Sequence, residues 1–219
     1  MADLLLATAI FLISHGLAAV RPWRAALVAR IGERLYVALF SVVSLGLVVW
    51  LGLAYAQAPY VELWPYLPEL RWLPVAVMPI ACVLIAAGLT SRNPFSLGAG
   101  AVGFDASNPG IVAITRHPAI WGLVLWSASH IPINGDAAGL ILFGLLSVLG
   151  LSGPMSLDAK RRRALGNEAW RQMHAEVRQT PWPAALAQMG LMRPGLGLAL
   201  YAVLFSLHDM VIGVAPLVF

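Results

Sequence analysis

The chain has 219 residues, 60% of them hydrophobic and only 11% charged, with a formal net charge of +4 and a mean hydropathy of +0.80. Soluble domains carry about 25% charged residues, so this balance excludes an ordinary water-soluble fold and points to an integral membrane protein. The surplus of positive charge sits in short stretches between apolar runs, with no zinc finger or aromatic RNA-binding signature beside it, so the expected partner is the lipid bilayer and not nucleic acid.

The first stretch, "MADLLLATAIFLISHGLAAV", lacks a basic leader and runs into an arginine cluster, which reads as a spanning helix over about residues 4–20 rather than a removable signal peptide. Five more apolar runs follow, at about 35–56, 72–89, 118–133, 137–157 and 196–218. Each is close to the roughly 20 residues a helix needs to cross about 30 Å of hydrocarbon. The runs are continuously apolar, not alternating, and only helices or closed barrels satisfy their backbone in lipid. The expected fold is therefore all-α, a polytopic transmembrane helical bundle of about six spans within a single membrane domain over residues 1–219.

Orientation follows from the basic residues. Of the fourteen Lys and Arg residues, all but Arg71 fall between spans one and two, three and four, or five and six. The positive-inside rule makes those loops cytoplasmic and leaves both termini outside. The loop from Thr90 to Ile114 is rich in Gly, Pro, Ser and Asn and should be irregular. The segment from about 158 to 180 reads as a charged amphipathic helix on the cytoplasmic membrane surface, with Trp170, Met173 and Val177 on its apolar face and Pro181 and Pro183 ending it. Within it, Lys160 to Arg163 reads as a headgroup anchor, and His174 as solvated. The lone Cys82 excludes an internal disulfide and any cysteine-clustered metal site.

Ionisable residues inside spans are expensive and hence functional candidates. Here they are His15, Arg116, His117, His130 and the pair His208-Asp209. Imidazole can stay neutral near pH 7. Histidines on three spans, set among aromatic and small apolar residues, match the environment of haem axial ligation better than a hard-metal oxygen site. A hydrogen bond to a neighbouring helix is the plain alternative for each one taken singly.

His117 and His130 are 13 residues apart, a rotation of about 140° on a helix, so they face different directions. His117 abuts Pro118 and belongs with Arg116 at the cytoplasmic rim, where anchoring to headgroups and capping of the helix compete with cofactor binding. His130 and His208 fall at similar depth in the outer half, whereas His15 lies about 9 Å from the inner edge. Depth alone leaves both His15 and His208 open as partners of His130.

The stretches "FLISHGLAAVRPWRAALVARIGERLYVALFSVVSLGLVV", "ITRHPAIWGLVLWSASHIPINGD", "DAKRRRALGNEAW" and "LHDMVIGVAP" resemble the NnrU family of bacterial inner-membrane proteins, which is homologous to the plant 15-cis-zeta-carotene isomerase. The resemblance implies a haem b (iron) protein of the inner membrane, linked to nitrite and nitric oxide metabolism, with His15 and His130 at the positions of the isomerase's two haem ligands. His208 stays as the alternative ligand. An isomerase acting on an apolar polyene is the other activity implied, but the isomerase carries a cysteine where this chain has Ser127 in "WSASH". The triplet Arg116-His117-Pro118, preceded by Gly110, also resembles the nucleotide-cofactor motif of isoprenylcysteine carboxyl methyltransferases and membrane sterol reductases, which implies a membrane methyltransferase or reductase. No residue set forms a complete acid-base or nucleophile constellation, so a non-enzymatic assembly or maturation role is also open.

Overall fold

A computed structural model describes residues 1–217, and within them it is all-helical. Helices α1 (Ala2–Ala19), α2 (Arg21–Ile31), α3 (Glu33–Ala56), α4 (Trp72–Thr90), α5 (Ile111–Ile114), α6 (Pro118–Asn134), α7 (Ala137–Leu165), α8 (Asn167–Val177), α9 (Trp182–Met189) and α10 (Met192–Ile212) follow in order, with a 3-10 turn over Pro68–Arg71 ahead of α4. The only strand-like pairing among the described residues is an isolated bridge between Glu62 and Asp136.

Each of the six expected apolar runs lies within or largely within a helix. By length and composition, α3, the continuous Pro68–Thr90 segment, α7 and α10 can each cross a membrane. α1 joins α2 through a bend of 77°, and counting that pair as one broken span gives up to five. The break is at Val20, which is extended, and Pro22 at the second position of α2 has no N–H to bond back into α1, so α1 cannot run on through it. α6 is 17 residues long and contains Pro132. The last helix ends at Ile212, and residue 218 of the expected final span lies outside the described residues. Apolar side chains such as Val42, Leu45 and Val49 on α3 are exposed, as expected for a surface solvated by lipid rather than water. The protein is a multi-pass membrane protein.

The chain divides into two compact units. The first is Met1–Pro65 with Asn134–Leu145. In it α1 packs on α3, Trp50 Nε1 donates to the Asp3 carboxylate, and Tyr55 Oη donates to Asn134 Oδ1 at 3.2 Å. Asp136 caps α7 by accepting from Gly139 N at 2.9 Å. The tight turn before it needs Gly135: φ is +67°, and a Cβ there would fall 2.7 Å from Trp64 O.

The second unit is Tyr66–Ile133 with the chain from Leu146 onward. Its helices touch through small residues, the usual solution where lipid supplies no hydrophobic drive between helices. A Cβ on Gly197 of α10 would sit 2.4 Å from Val83 Cα of α4, and one on Gly122 of α6 would sit 2.6 Å from Ala81 O. Ser127 of α6 and Ser147 of α7 share a hydrogen bond of 2.9 Å.

This unit also holds a buried apolar cluster. Phe95 of the 91–110 loop, Ile111 and Val112 of α5, Trp170 and Val177 of α8 and Met189 of α9 are buried together with Ala87. Two expectations about the 158–180 segment are corrected here. The segment is not one helix: α7 continues through the basic run to Leu165, Gly166 at φ +84° breaks it, and α8 starts afresh. Trp170 and Val177 are 2% and 1% exposed, so that apolar face packs under the protein's own loop rather than against lipid. Pro181 and Trp182-Pro183 begin α9 instead of ending α8, in keeping with proline's preference for the first turn of a helix.

Candidate functional site

Two sets of residues carry chemistry: the membrane histidines and the rim around Arg116.

His15 and His130 lie in different units but are held by the same local device. Each ends an aromatic-x-x-Ser-His pentapeptide, Phe11 to His15 and Trp126 to His130. One helical turn brings the imidazole back over the aromatic residue. His15 Nδ1 lies 2.8 Å from Phe11 O, and His130 Nδ1 lies 2.7 Å from Trp126 O. A carbonyl only accepts, so both Nδ1 atoms carry the proton. In each neutral ring the lone pair is therefore on Nε2.

The preceding serine repeats the pattern. Ser14 Oγ donates to Phe11 O and Ser129 Oγ to Trp126 O, each at 2.9 Å. The rings differ in their aromatic contact, with His15 stacked on Phe11 at a centroid distance of 4.0 Å and His130 edge-on to Trp126 at 6.2 Å. His15 Nε2 accepts from Ser44 Oγ of α3 at 3.2 Å.

His208 has its Nδ1 2.6 Å from Val214 O, past the end of α10. It shares a unit with His130 and lies within electrostatic range of it. Among the described residues no three His, Cys, Asp or Glu side chains come together in a way that could hold a bare metal ion. The donor chemistry on offer at these histidines is single imidazoles.

The rim is built differently, from residues far apart in sequence. Thr115 is extended, its Oγ1 accepts from His117 N at 3.3 Å, and His117 O accepts the first bond of α6 from Trp121 N at 3.0 Å. This sharp entry brings Arg116 and His117 to Asp158 in the C-terminal third of α7. Arg116 Nη2 donates to Asp158 Oδ2 at 2.8 Å, and Arg116 Nη1 donates to His174 Nε2 at 2.6 Å. His117, only 3% exposed, donates from Nε2 to Asp158 Oδ1 at 3.2 Å.

The buried Asn93 ties the loop down: its amide donates to Arg116 O at 2.9 Å, and its Oδ1 accepts from Phe95 N and Ser96 N. Arg162 lies over the Trp170 ring at 4.0 Å, Arg116 at 5.5 Å, and Arg161 Nη2 donates to Ser96 O at 3.1 Å. Two of the four residues read as a headgroup anchor thus hold the protein to itself.

Protonation follows from the geometry. Burial pushes the His117 pKa below its ordinary value, with Arg116 adding to this and Asp158 opposing it. Burial also lowers His174, helped by Arg116 and Arg178. A neutral His174 is what the structure requires, because its Nε2 accepts a hydrogen bond from Arg116. The reading of His174 as solvated is corrected: it contacts Arg116, and its ring lies 5.0 Å from that of Trp170.

Sequence reasoning placed Arg116 and His117 at a rim and missed Asp158, Asn93 and Trp170 as their partners. The sole local signal was the carboxylate of Asp158 standing just before a run of four basic residues. No curated protein and no solved structure matches the chain. Residues 3–216 match the model of the NnrU protein family, and the chain therefore belongs to that family.

Proposed function

We propose that this NnrU-family protein binds haem b within the bacterial inner membrane, through His15 and His130, and serves nitrite and nitric oxide metabolism. The observation that carries the reading is the repeated aromatic-x-x-Ser-His device. In both copies the Nδ1 proton is held by a helix carbonyl, which puts the lone pair of the ring on Nε2. Metal-bound histidines are normally oriented this way, with the second nitrogen hydrogen-bonded to a carbonyl or carboxylate. The donor set fits an iron porphyrin, which asks the protein for one or two axial imidazoles and an apolar surround. At His15 the lone pair concerned is the one that the Ser44 hydroxyl engages.

Bound haem would supply reversible binding of nitric oxide or one-electron transfer. The chain's own part is to fix the tautomer and direction of each imidazole and to keep water from it with Phe11, Phe40 and Trp126. Ser127 favours such a role over carotenoid isomerisation by ligand exchange. It stands where the isomerase has a cysteine, is fully buried, and is hydrogen-bonded to Ser147 and to Leu123 O. The distribution of basic residues supports an orientation with both termini outside and the Arg116 rim cytoplasmic.

The experiment is an absorption spectrum of the protein purified after expression with ample haem. Wild type is expected to show a haem b Soret band, and the His15→Ala, His130→Ala double variant to lose it. Wild type without haem would overturn the proposal, and full retention by the double variant would overturn the ligand assignment.

A further inference from the structure

The rim holds a recess that its own side chains leave open. A cavity of 130 Å³ lies between α5 with the turn after it and the C-terminal end of α8, with Thr115, Arg116, His174 and Arg178 as its polar wall and Val112 and Val177 behind them. That exceeds the roughly 10–15 Å³ a single water needs on such a measure. Its charge is unbalanced. Arg116 shares the Asp158 carboxylate with His117. Arg178 has no ion pair among the described residues. His174 feels the positive charge of Arg116, Arg178 and Arg162 together, against Asp158 alone.

A second observation is independent of that charge count. The Arg116 side chain keeps 29% exposure: its Nε is enclosed, but Nη1 and Nη2, bonded to His174 and Asp158, each carry a second N–H. The Thr115 hydroxyl accepts from His117 N and still has a proton to donate. The recess thus offers two guanidinium groups, one hydroxyl and an apolar back wall. That is the donor set for a tetrahedral oxyanion, which arginine recognises with paired N–H bonds.

We propose that this recess binds a phosphate-class oxyanion, carried on a soluble molecule or on a lipid headgroup, with Arg116 and Arg178 as its clamps and Thr115 as an added donor. The site is separate from the membrane histidines and does not depend on haem.

The test uses the full-length protein in nanodiscs and reads the thermal unfolding midpoint. One arm titrates inorganic phosphate into phosphatidylcholine discs at an ionic strength held constant with chloride. The other compares phosphatidylcholine discs with discs containing phosphatidic acid. A saturable rise in midpoint in either arm, weakened by about tenfold in apparent affinity by Arg178→Gln, supports the proposal. The arm that responds identifies the source of the phosphate.

Arg178 is exposed and Arg30 on α2 is exposed as well, so neither change threatens the fold, and Arg30→Gln is expected to respond as wild type. Arg178→Lys, which keeps the charge and loses the planar fork, should fall between. No rise in either arm, or a rise that Arg178→Gln leaves unchanged, would overturn it.

Discussion

Replacing Asp158 by alanine is the most informative single change at the rim. It removes the acceptor of two charge-assisted bonds, from Arg116 Nη2 at 2.8 Å and from His117 Nε2 at 3.2 Å. Hydrogen bonds to charged groups contribute about 1.5–3 kcal/mol each, with the longer one at the weak end. Stranding a fully buried partner costs about 3–5 kcal/mol. Here the Arg116 and Asp158 side chains keep 29% and 16% exposure, so water relieves part of that penalty. Alanine also returns a few tenths of a kcal/mol of helix propensity.

The net expectation is a loss of about 2–4 kcal/mol; its midpoint of about 3 kcal/mol corresponds to roughly 150-fold in the unfolding equilibrium. For a chain of this size each kcal/mol moves the midpoint by about 2–4 °C, giving a fall of roughly 6–12 °C. The assay is thermal unfolding in detergent, followed by circular dichroism and by the summed fluorescence of the eight tryptophans, the buried Trp170 among them. A double-mutant cycle with Arg116→Ala should show a coupling above about 1 kcal/mol, because the two side chains share one ion pair. A shift below about 1 °C, or two effects that simply add, would refute this account of the rim.

Acidification should destabilise the protein. The pKa values of His117 and His174 are both depressed in the folded state below the ordinary 6.5, so below about pH 6.5 the unfolded chain takes up protons the folded chain refuses. The stability they contribute is present above the unfolded value and lost as pH falls; the unfolding midpoint should drop on going from about pH 7.5 to 5.5, and a His117→Gln, His174→Gln double variant should flatten that profile. A midpoint that rises on acidification would contradict the assigned tautomers. In α10, Gly197→Ala places a Cβ 2.4 Å from Val83 Cα and should cost about 1–3 kcal/mol by overpacking. Gly195→Ala in the same helix meets nothing within 4 Å and should be neutral or slightly stabilising, so equal unfolding midpoints for the two variants would count against the packing of α4 on α10.

How much was legible in the sequence differs between the spans and the rim. A helix in lipid satisfies its backbone within itself, so a long apolar run is nearly sufficient to specify α3, α4, α7 and α10. The rim network depends on contacts 42 and 58 residues apart, between Arg116 and Asp158 and between Arg116 and His174. No local pattern announces such pairs. The apolar face of α8 was visible as Trp170, Met173 and Val177, but periodicity says that a face is apolar and not what covers it. A membrane surface and the protein's own Phe95 loop satisfy the same pattern. The break at Gly166 was readable in principle, since glycine followed by a polar residue is a common way to stop one helix and start another. The histidine pentapeptides were in plain view, yet their equivalence lies in hydrogen bonds to Phe11 O and Trp126 O that only the folded helices display.

The central claim is that these two imidazoles hold a haem, and the spectra of three single variants beside wild type test it most directly. Wild-type protein expressed with ample haem is expected to show a haem b spectrum of bis-imidazole type. His15→Ala and His130→Ala should each abolish that spectral form, and His208→Ala should preserve it. A haem spectrum unchanged by His15→Ala but lost in His208→Ala would move the second ligand to α10, and a wild-type protein that carries no haem at all would contradict the account.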